Sequence, residues 1–195
     1  MSFMSDPSYS DEELVRLSKE DKRYFATLVD RYEKPLRRYV GKLGKFNKED
    51  LDDLLQDVFI KLYKNINAFD SSLKFSSWIY RIAHNETISF FRHNHVRPQG
   101  HALDIPEEIL ENLLADTQLT EDVEQKETYA SLNNAIELLP QNYKDVILLK
   151  YFEYKSYEEI SDILRLPPGT VATRLNRAKE KLHIIMKKHG YDVTS

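Results

Sequence analysis

The residues with the clearest chemistry lie near the C-terminus, where seven lysines and arginines between Arg165 and His189 accompany a single acid, Glu180. The apolar residues of this stretch recur at the helical period and predict one buried stripe: Val171, Leu175, Ala178, Leu182 and Ile185. The cations lie off that stripe, together with Thr173 and Asn176. Such a helix has the polar face and flanking charge needed to enter a DNA major groove between two phosphate backbones.

A short helix and a tight turn precede this basic helix. Ser156 and Glu159 form a Ser-x-x-Glu capping box that opens the short helix, and Pro167 ends it. Pro168 then suits the first turn of the long helix. A basic helix alone is commonly a plain solvated surface, but a short helix, a turn and a long helix over 156–185 form a helix-turn-helix.

Three amphipathic segments in the first half predict a helical bundle. The helical period runs from Asp21 to Gly44, where Pro35 is expected to kink or interrupt the helix. It resumes over 51–66 after a cap at Asn47, and again from about Phe75 to His95. The short loops between these segments favour one compact bundle.

The stretch 97–127 separates the two halves and holds nine acidic residues against only Arg97 and Lys126. This composition predicts an acidic flexible linker. Its seven leucines and isoleucines exceed what a spacer needs, so part of it is expected to form a helix or to lie along a partner surface. The predicted divisions are an N-terminal tail 1–20, a first domain 21–96, the linker 97–127 and a second domain 128–190.

These patterns predict a nearly all-α chain of two small helical domains. The first is a three-to-four-helix bundle, and the second is a four-helix domain that contains the helix-turn-helix. The chain has 28 lysines and arginines against 32 acids, a net charge of -4, so its cations are segregated rather than spread over the surface. The positive charge of the basic C-terminal helix and the negative charge of the linker nearly cancel in that sum.

Several classes of function and site are excluded by what the sequence lacks. It has no cysteine, which rules out disulfides, thiolate zinc sites and cysteine nucleophiles. His93 and His95 are two residues apart and point to different sides of a helix, so no metal site is predicted. No phosphate-binding loop or dinucleotide fingerprint occurs, so neither an enzyme nor a cofactor is predicted. No signal peptide or membrane-spanning stretch is evident, which predicts a cytoplasmic protein without membrane insertion.

Four stretches in order resemble bacterial sigma factors of the extracytoplasmic-function (group IV) type: FATLVDRYEKPLRRYV, DLDDLLQDVFIKLYKNINAFD, KFSSWIYRIAHNETISFFR and LPQNYKDVILLKYFEYKSYEEISDILRLPPGTVATRLNRAKEKL. Their order and spacing match sigma domain 2 (21–96) and sigma domain 4 (128–190). The resemblance implies a promoter-specificity subunit that joins core RNA polymerase, recognises two promoter elements and helps to melt the DNA. An alternative is a two-domain helix-turn-helix regulator that is not a polymerase subunit, but a repressor has no need of the KFSSWIYRIAHN block.

The family resemblance also implies partners and a location. The partners are core RNA polymerase, at its clamp helices and flap region, promoter DNA in duplex and single-stranded form, and an anti-sigma factor. The location is the cytoplasm, with nucleoid association in the holoenzyme. In relatives the inter-domain segment threads the polymerase cleft, so the nine carboxylates of the linker are expected to mimic a nucleic-acid strand there.

Site residues follow from matching this sequence to the family's blocks. The polymerase-binding face comprises Asp53, Gln56, Asp57 and Ile60, whose plain alternative is the solvated side of a helix. Residues matching the reader of the melted downstream element are Lys74, Arg81, Asn85, Arg92, His93 and Asn94. The upstream element is expected to contact Thr173, Asn176 and Arg177 through base edges and Arg174, Lys179 and Lys181 through phosphates.

Other positions belong to the core or depart from the family pattern. Spacing assigns Phe59 and Trp78 to the core and leaves Tyr80 open between packing and base stacking. The departures are Ser161 at a position of usually smaller side chains, Arg165 at a turn position commonly held by glycine, and Ala172 where relatives often have a cation. An arginine at the turn is expected to adopt a strained backbone or to alter the turn.

Overall fold

The computed structural model describes residues 9–94, 106–117 and 132–188, and every regular element in these ranges is helical. The helices are α1 Asp11–Ser18, α2 Lys22–Leu43, α3 Lys48–Asn65, α4 Phe75–His93, α5 Glu107–Thr117, α6 132–137, α7 Gln141–Ile147, α8 Tyr157–Leu164 and α9 Pro168–Lys188. A 3-10 turn, Ile66–Ala68, follows α3, and a π-helical turn, Leu148–Phe152, follows α7. The all-α prediction is confirmed for the described residues. They form two compact units, one built mainly from α1–α4 and the other from α5–α9.

The first unit is held together by apolar stripes on α2, α3 and α4. On α3 the buried stripe consists of Leu54, Leu55, Val58 and Leu62. Asn47 caps this helix by accepting the Asp50 N–H at 2.6 Å, as its sequence position predicts. α4 packs against α3, and an ion pair between Lys61 and Glu86 joins their outer surfaces. Between α2 and α4, the Tyr39 hydroxyl lies 3.0 Å from His84 Nδ1 inside the bundle.

Pro35 lies inside α2 without ending it, so of the predicted kink or interruption the interruption does not occur. A proline in a helix interior costs about 3 kcal/mol because one backbone hydrogen bond is lost. The residues around it, Tyr32, Leu36 and Tyr39, are buried. Each large apolar side chain contributes about 1.5–3 kcal/mol on burial, so the three together outweigh the cost of the proline.

α1 lies within the segment 1–20, for which the sequence predicts only a tail. Its Leu14 and Val15 are buried, and Asp11 accepts hydrogen bonds from Arg31 and Tyr32 of α2. Burial and the bond to Asp11 raise the pKa of the Tyr32 hydroxyl, so Tyr32 remains a donor. A helix of 8 residues with two buried aliphatic side chains is too short to be predicted from its hydrophobic period. The contacts with α2 nevertheless hold α1 on the bundle.

In the second unit, α5 comes from the predicted linker. It buries Ile109 and Leu113 and packs against α9 and the π-helical turn. Part of the predicted linker therefore forms a helix, as expected. Residues 97–105 and 118–127 of the linker lie outside the described residues. α7 runs directly into the π-helical turn.

The helix-turn-helix consists of α8, a turn and α9. Ser156 accepts the Glu159 N–H at 3.2 Å, and Glu159 accepts the Ser156 N–H at 2.9 Å, so the predicted capping box forms. α8 ends where Arg165 takes a left-handed backbone, with φ 53° and ψ 51°. The Ser161 hydroxyl donates to the Leu166 carbonyl at 2.5 Å and closes the turn. Of the two outcomes predicted for an arginine here, the strained backbone is therefore the one adopted.

Replacing Arg165 with glycine is expected to stabilise the protein. The left-handed conformation costs a non-glycine residue about 1–2 kcal/mol, whereas glycine loses about 0.5–1 kcal/mol more backbone entropy on folding. The net gain of about 0.5–1 kcal/mol raises the melting temperature of a small domain by a few degrees. Circular dichroism on heating measures it, with Lys179→Gly inside α9 as a control that loses about 1 kcal/mol. A lower melting temperature for Arg165→Gly would contradict the strain.

Candidate nucleic-acid and partner interfaces

The second unit presents the polar side of α9. The opposite side is buried and consists of Val171, Leu175, Ala178, Leu182 and Met186, so Met186 takes the place predicted for Ile185. All six candidate residues lie off this stripe: Thr173, Asn176, Arg177 and Lys181 are exposed, and Arg174 and Lys179 are half-buried. The structure therefore brings the predicted duplex-binding residues to one side of one helix.

Spacing along α9 makes this side a single patch. Thr173, Arg177 and Lys181 are four residues apart, so they lie above one another over two turns, about 12 Å of helix. The Thr173 hydroxyl donates to the Gly169 carbonyl at 2.8 Å and so keeps its lone pairs and methyl group for a ligand. Lys181 Nζ lies 5.6 Å from the centre of the Tyr143 ring. This cation–π contact stabilises the Lys181 ammonium at the edge of the patch.

The predicted strand-binding residues lie along α4 as a track. Lys74, Arg81, Asn85 and Arg92 are separated by seven, four and seven residues, so they share one stripe of the helix. The stripe spans about 27 Å at 1.5 Å per residue, the length of several unstacked nucleotides rather than of one base pocket. Lys74, Asn85 and Arg92 are exposed and Arg81 is half-buried. His93 and Asn94 are exposed at the C-terminal end of α4, but they directly follow Arg92 and so lie off the stripe.

The aromatic residues of α4 take part in packing. Tyr80 is buried, with its ring centre 5.1 Å from that of Tyr39, so it offers no face to a base. Trp78 is half-buried rather than fully in the core, and its ring packs against Phe69 and Phe75 at 5.2 and 5.9 Å. Cations and amides, rather than stacking rings, dominate the exposed stripe of α4.

On α3 the four predicted polymerase-binding residues are all exposed: Asp53, Gln56, Asp57 and Ile60. Gln56 and Ile60 line an apolar groove of about 470 Å³ between α2 and α3. The groove is walled by Phe25, Val29, Leu55, Phe59, Ile60 and Tyr63. Its rim carries the ion pairs of Arg37 with Glu33 and Asp52. The groove combines an apolar floor with a charged rim, the usual make-up of a protein interface.

Asp53 and Asp57 face a different depression, a cleft of about 680 Å³ between α3 and α4. The carboxylates that line it are Asp50, Asp53, Asp57 and Glu86. Arg92 and His93 line the same cleft, so residues predicted for two different partners meet there. The four predicted residues of α3 thus form one ridge with an apolar groove on one side and an acidic cleft on the other.

The groove shows where prediction from spacing was wrong. Phe59 is half-buried and lines the groove with Phe25 and Tyr63, whose ring centres lie 5.0 Å apart, so it is not a core residue. The signal was present in α3, which carries a second apolar stripe at Phe59, Ile60 and Tyr63 beside the buried one. A helix that packs on one side only has no need of that second stripe.

Neither a metal site nor a membrane span emerges from the parts of the chain that the structure describes. Within 9–94, 106–117 and 132–188, no three histidine or acidic side chains are arranged to hold a metal ion, and His95 lies outside these ranges. None of the helices in the same ranges is both long and apolar enough to cross a bilayer.

Comparison with known families and proteins gives two matched regions. The family model for Sigma-70 region 2 matches residues 28–96, and the model for Sigma-70, region 4 matches residues 129–182. The ECF RNA polymerase sigma factor SigW of Bacillus subtilis is 37% identical over 177 residues, which cover 87% of this chain and 92% of the relative. The ECF RNA polymerase sigma-E factor of Haemophilus influenzae is 34% identical, covering 89% of this chain and 93% of the relative.

Two solved structures share the fold. CnrH, solved in complex with the cytosolic domain of CnrY, superposes with a TM-score of 0.63 at 22% identity, covering 91% of this chain and 97% of that one. The sigma factor RpoE of Bartonella quintana, solved with the anti-sigma factor NepR, gives a TM-score of 0.57 at 21% identity, covering 84% and 96%.

Proposed function

Because the chain belongs to the sigma-70 family, as an extracytoplasmic-function RNA polymerase sigma factor that directs polymerase to promoters, we propose that its helices divide this work among three surfaces. The ridge of α3 binds core polymerase, the stripe of α4 holds the melted downstream element, and the polar side of α9 reads the upstream element. The observation that carries the proposal is the placement of the predicted residues on three exposed helix faces with different chemistry. The domain boundaries 21–96 and 128–190 belong to the same proposal.

Polymerase docks along the ridge of α3, and the clamp helices are the part of polymerase that binds there. The apolar groove accepts side chains of the clamp, and the charged residues on its rim set orientation. The acidic cleft favours a basic segment of the same partner. Ile60 is 41% exposed. This supports the role, because an exposed aliphatic side chain gains free energy of burial only when a partner covers it. The polymerase flap is the corresponding contact of the second domain.

Melting of the promoter uses the stripe on α4. A single strand offers phosphates at regular intervals and bases freed from stacking, so a line of cations with an amide among them suits it. Asn85 is the one amide of the stripe, and it carries both a donor and an acceptor for the edge of an unpaired base. Lys74, Arg81 and Arg92 contact the phosphates on either side.

The duplex upstream element binds α9. Arg177 presents a bidentate donor suited to guanine, and Asn176 a donor and acceptor pair suited to adenine. Arg174, Lys179 and Lys181 neutralise phosphates at the groove edges. This assignment gives the helix-turn-helix its ordinary geometry, with α8 crossing the backbone and α9 in the major groove.

Regulation and location follow the relatives. The proposal includes an anti-sigma factor as a partner, supported by the RpoE structure, in which that sigma factor is bound to the anti-sigma factor NepR. The chain acts in the cytoplasm, where its polymerase and promoters are, and associates with the nucleoid in the holoenzyme. It binds and positions other molecules without a chemical step of its own.

In-vitro transcription with purified core polymerase tests the function as a whole. Core polymerase with this protein is expected to give defined transcripts from a subset of fragments of its own genome. Core polymerase alone is expected to give none of these start sites. Identical transcripts with and without the protein would contradict the assignment and favour a regulator outside the polymerase.

A further inference from the structure

The N-terminus of α4 is capped by a residue from a distant helix. The Phe75 N–H donates to Glu12 Oε1 of α1 at 3.1 Å. Lys74, the N-cap residue of α4, offers no side-chain hydrogen bond to the helix. Glu12 therefore takes the part that Ser, Thr or Asp at the N-cap plays in other helices, satisfying one of the first free N–H groups.

Contacts made by the neighbouring Asp11 and by Phe75 hold the two partners of this cap together. The preceding residue, Asp11, accepts hydrogen bonds from Arg31 and Tyr32 of α2. The ring of Tyr32 in turn packs edge-on against Phe75, with 5.5 Å between ring centres. Two contacts from different helices thus converge on Phe75, the first residue of α4.

The position of this cap matters because the stripe of α4 begins there. Lys74 directly precedes Phe75 and is exposed. A carboxylate at a helix N-terminus is also favoured by the helix dipole, so Glu12 opposes fraying of the first turn. If that turn frays, Lys74 leaves the line formed by Arg81, Asn85 and Arg92.

We propose that Glu12 is a positioning residue for promoter melting: by capping α4 from α1, it fixes the first turn of α4 and holds Lys74 in line with the rest of the stripe. The inference rests on the proposed function, in which this stripe binds the melted strand. It gives α1 a role beyond burial of two aliphatic side chains. Glu12 itself contacts neither DNA nor polymerase.

The rate of open-complex formation by holoenzyme, measured at saturating holoenzyme on a duplex promoter, tests this role. Glu12→Ala is expected to slow opening by about 3- to 10-fold without changing affinity for core polymerase, in line with the loss of a typical helix cap. Glu12→Gln keeps an acceptor oxygen and is expected to retain most of the rate. Glu20→Ala, which removes an equal charge from an exposed position after α1, serves as the matched control. Faster hydrogen exchange at the Phe75 amide in Glu12→Ala verifies loss of the cap independently of folding.

Combination with Lys74→Ala separates this inference from the function on which it rests. If Lys74→Ala slows opening and Glu12→Ala adds nothing to it, the inference holds. An unchanged opening rate for Glu12→Ala, or an equal slowing in both backgrounds, overturns the inference and leaves the strand-binding stripe intact. If Lys74→Ala leaves the opening rate unchanged, the assignment of Lys74 to the stripe is overturned, and the role of Glu12 with it.

Discussion

Replacing Arg177 with alanine is expected to reduce the preference for a cognate upstream element over a scrambled one by about 1–3 kcal/mol, roughly 5- to 150-fold. The reason is geometric, since the exposed guanidinium on α9 is the candidate bidentate donor to a base edge. Loss of such a contact weakens binding to the cognate sequence more than to any other. Competition between the two duplexes for labelled holoenzyme measures the ratio directly.

Lys181→Ala provides the matched control on the same helix. Its ammonium is assigned to a phosphate, so its loss should weaken binding to cognate and scrambled DNA alike and reduce the salt slope by about one. The two variants remove the same charge from the same exposed side of α9. Equal losses on both duplexes for both variants would show that neither residue reads sequence.

The helices that carry the three surfaces were predictable because their determinants are local. The cap at Asn47 and the capping box at Ser156 are sequence patterns that act within three residues, and both form as expected. The amphipathic periods of α3 and α9 likewise define which side is buried, since 3.6 residues complete a turn. Once the buried side is known, the exposed positions of Asp53, Gln56 and Arg177 follow.

Features that depend on contacts between distant parts of the chain were not predictable in this way. Nothing in the residues around Glu12 indicates that its carboxylate caps a helix that begins at Phe75. The persistence of α2 through Pro35 depends on how many neighbouring side chains are buried, which spacing does not reveal. Phe59 differs from these, since the second apolar stripe of α3 was visible in the sequence, but its period is the same as that of the buried stripe and it was assigned to the core.

Replacing Ile60 with glutamate is expected to lower affinity for core polymerase by at least about tenfold, equivalent to about 1.4 kcal/mol. The side chain lines the apolar groove between α2 and α3, so a partner docked there would have to bury an unpaired carboxylate. Because Ile60 is already 41% exposed, the substitution should leave the stability of the bundle nearly unchanged. Competition with the wild-type protein for a limiting amount of core polymerase measures the affinity.

Asn67→Glu adds the same charge at another exposed position of the first unit and is expected to bind core polymerase normally. A docking defect also differs from a DNA-binding defect in its dependence on concentration. With Ile60→Glu, a large excess of the sigma factor should restore transcription, because the stripe of α4 and the polar side of α9 are intact. Arg177→Ala should retain its loss of sequence preference at any concentration of the protein. Wild-type affinity of Ile60→Glu for core polymerase would place the docking surface elsewhere than the groove.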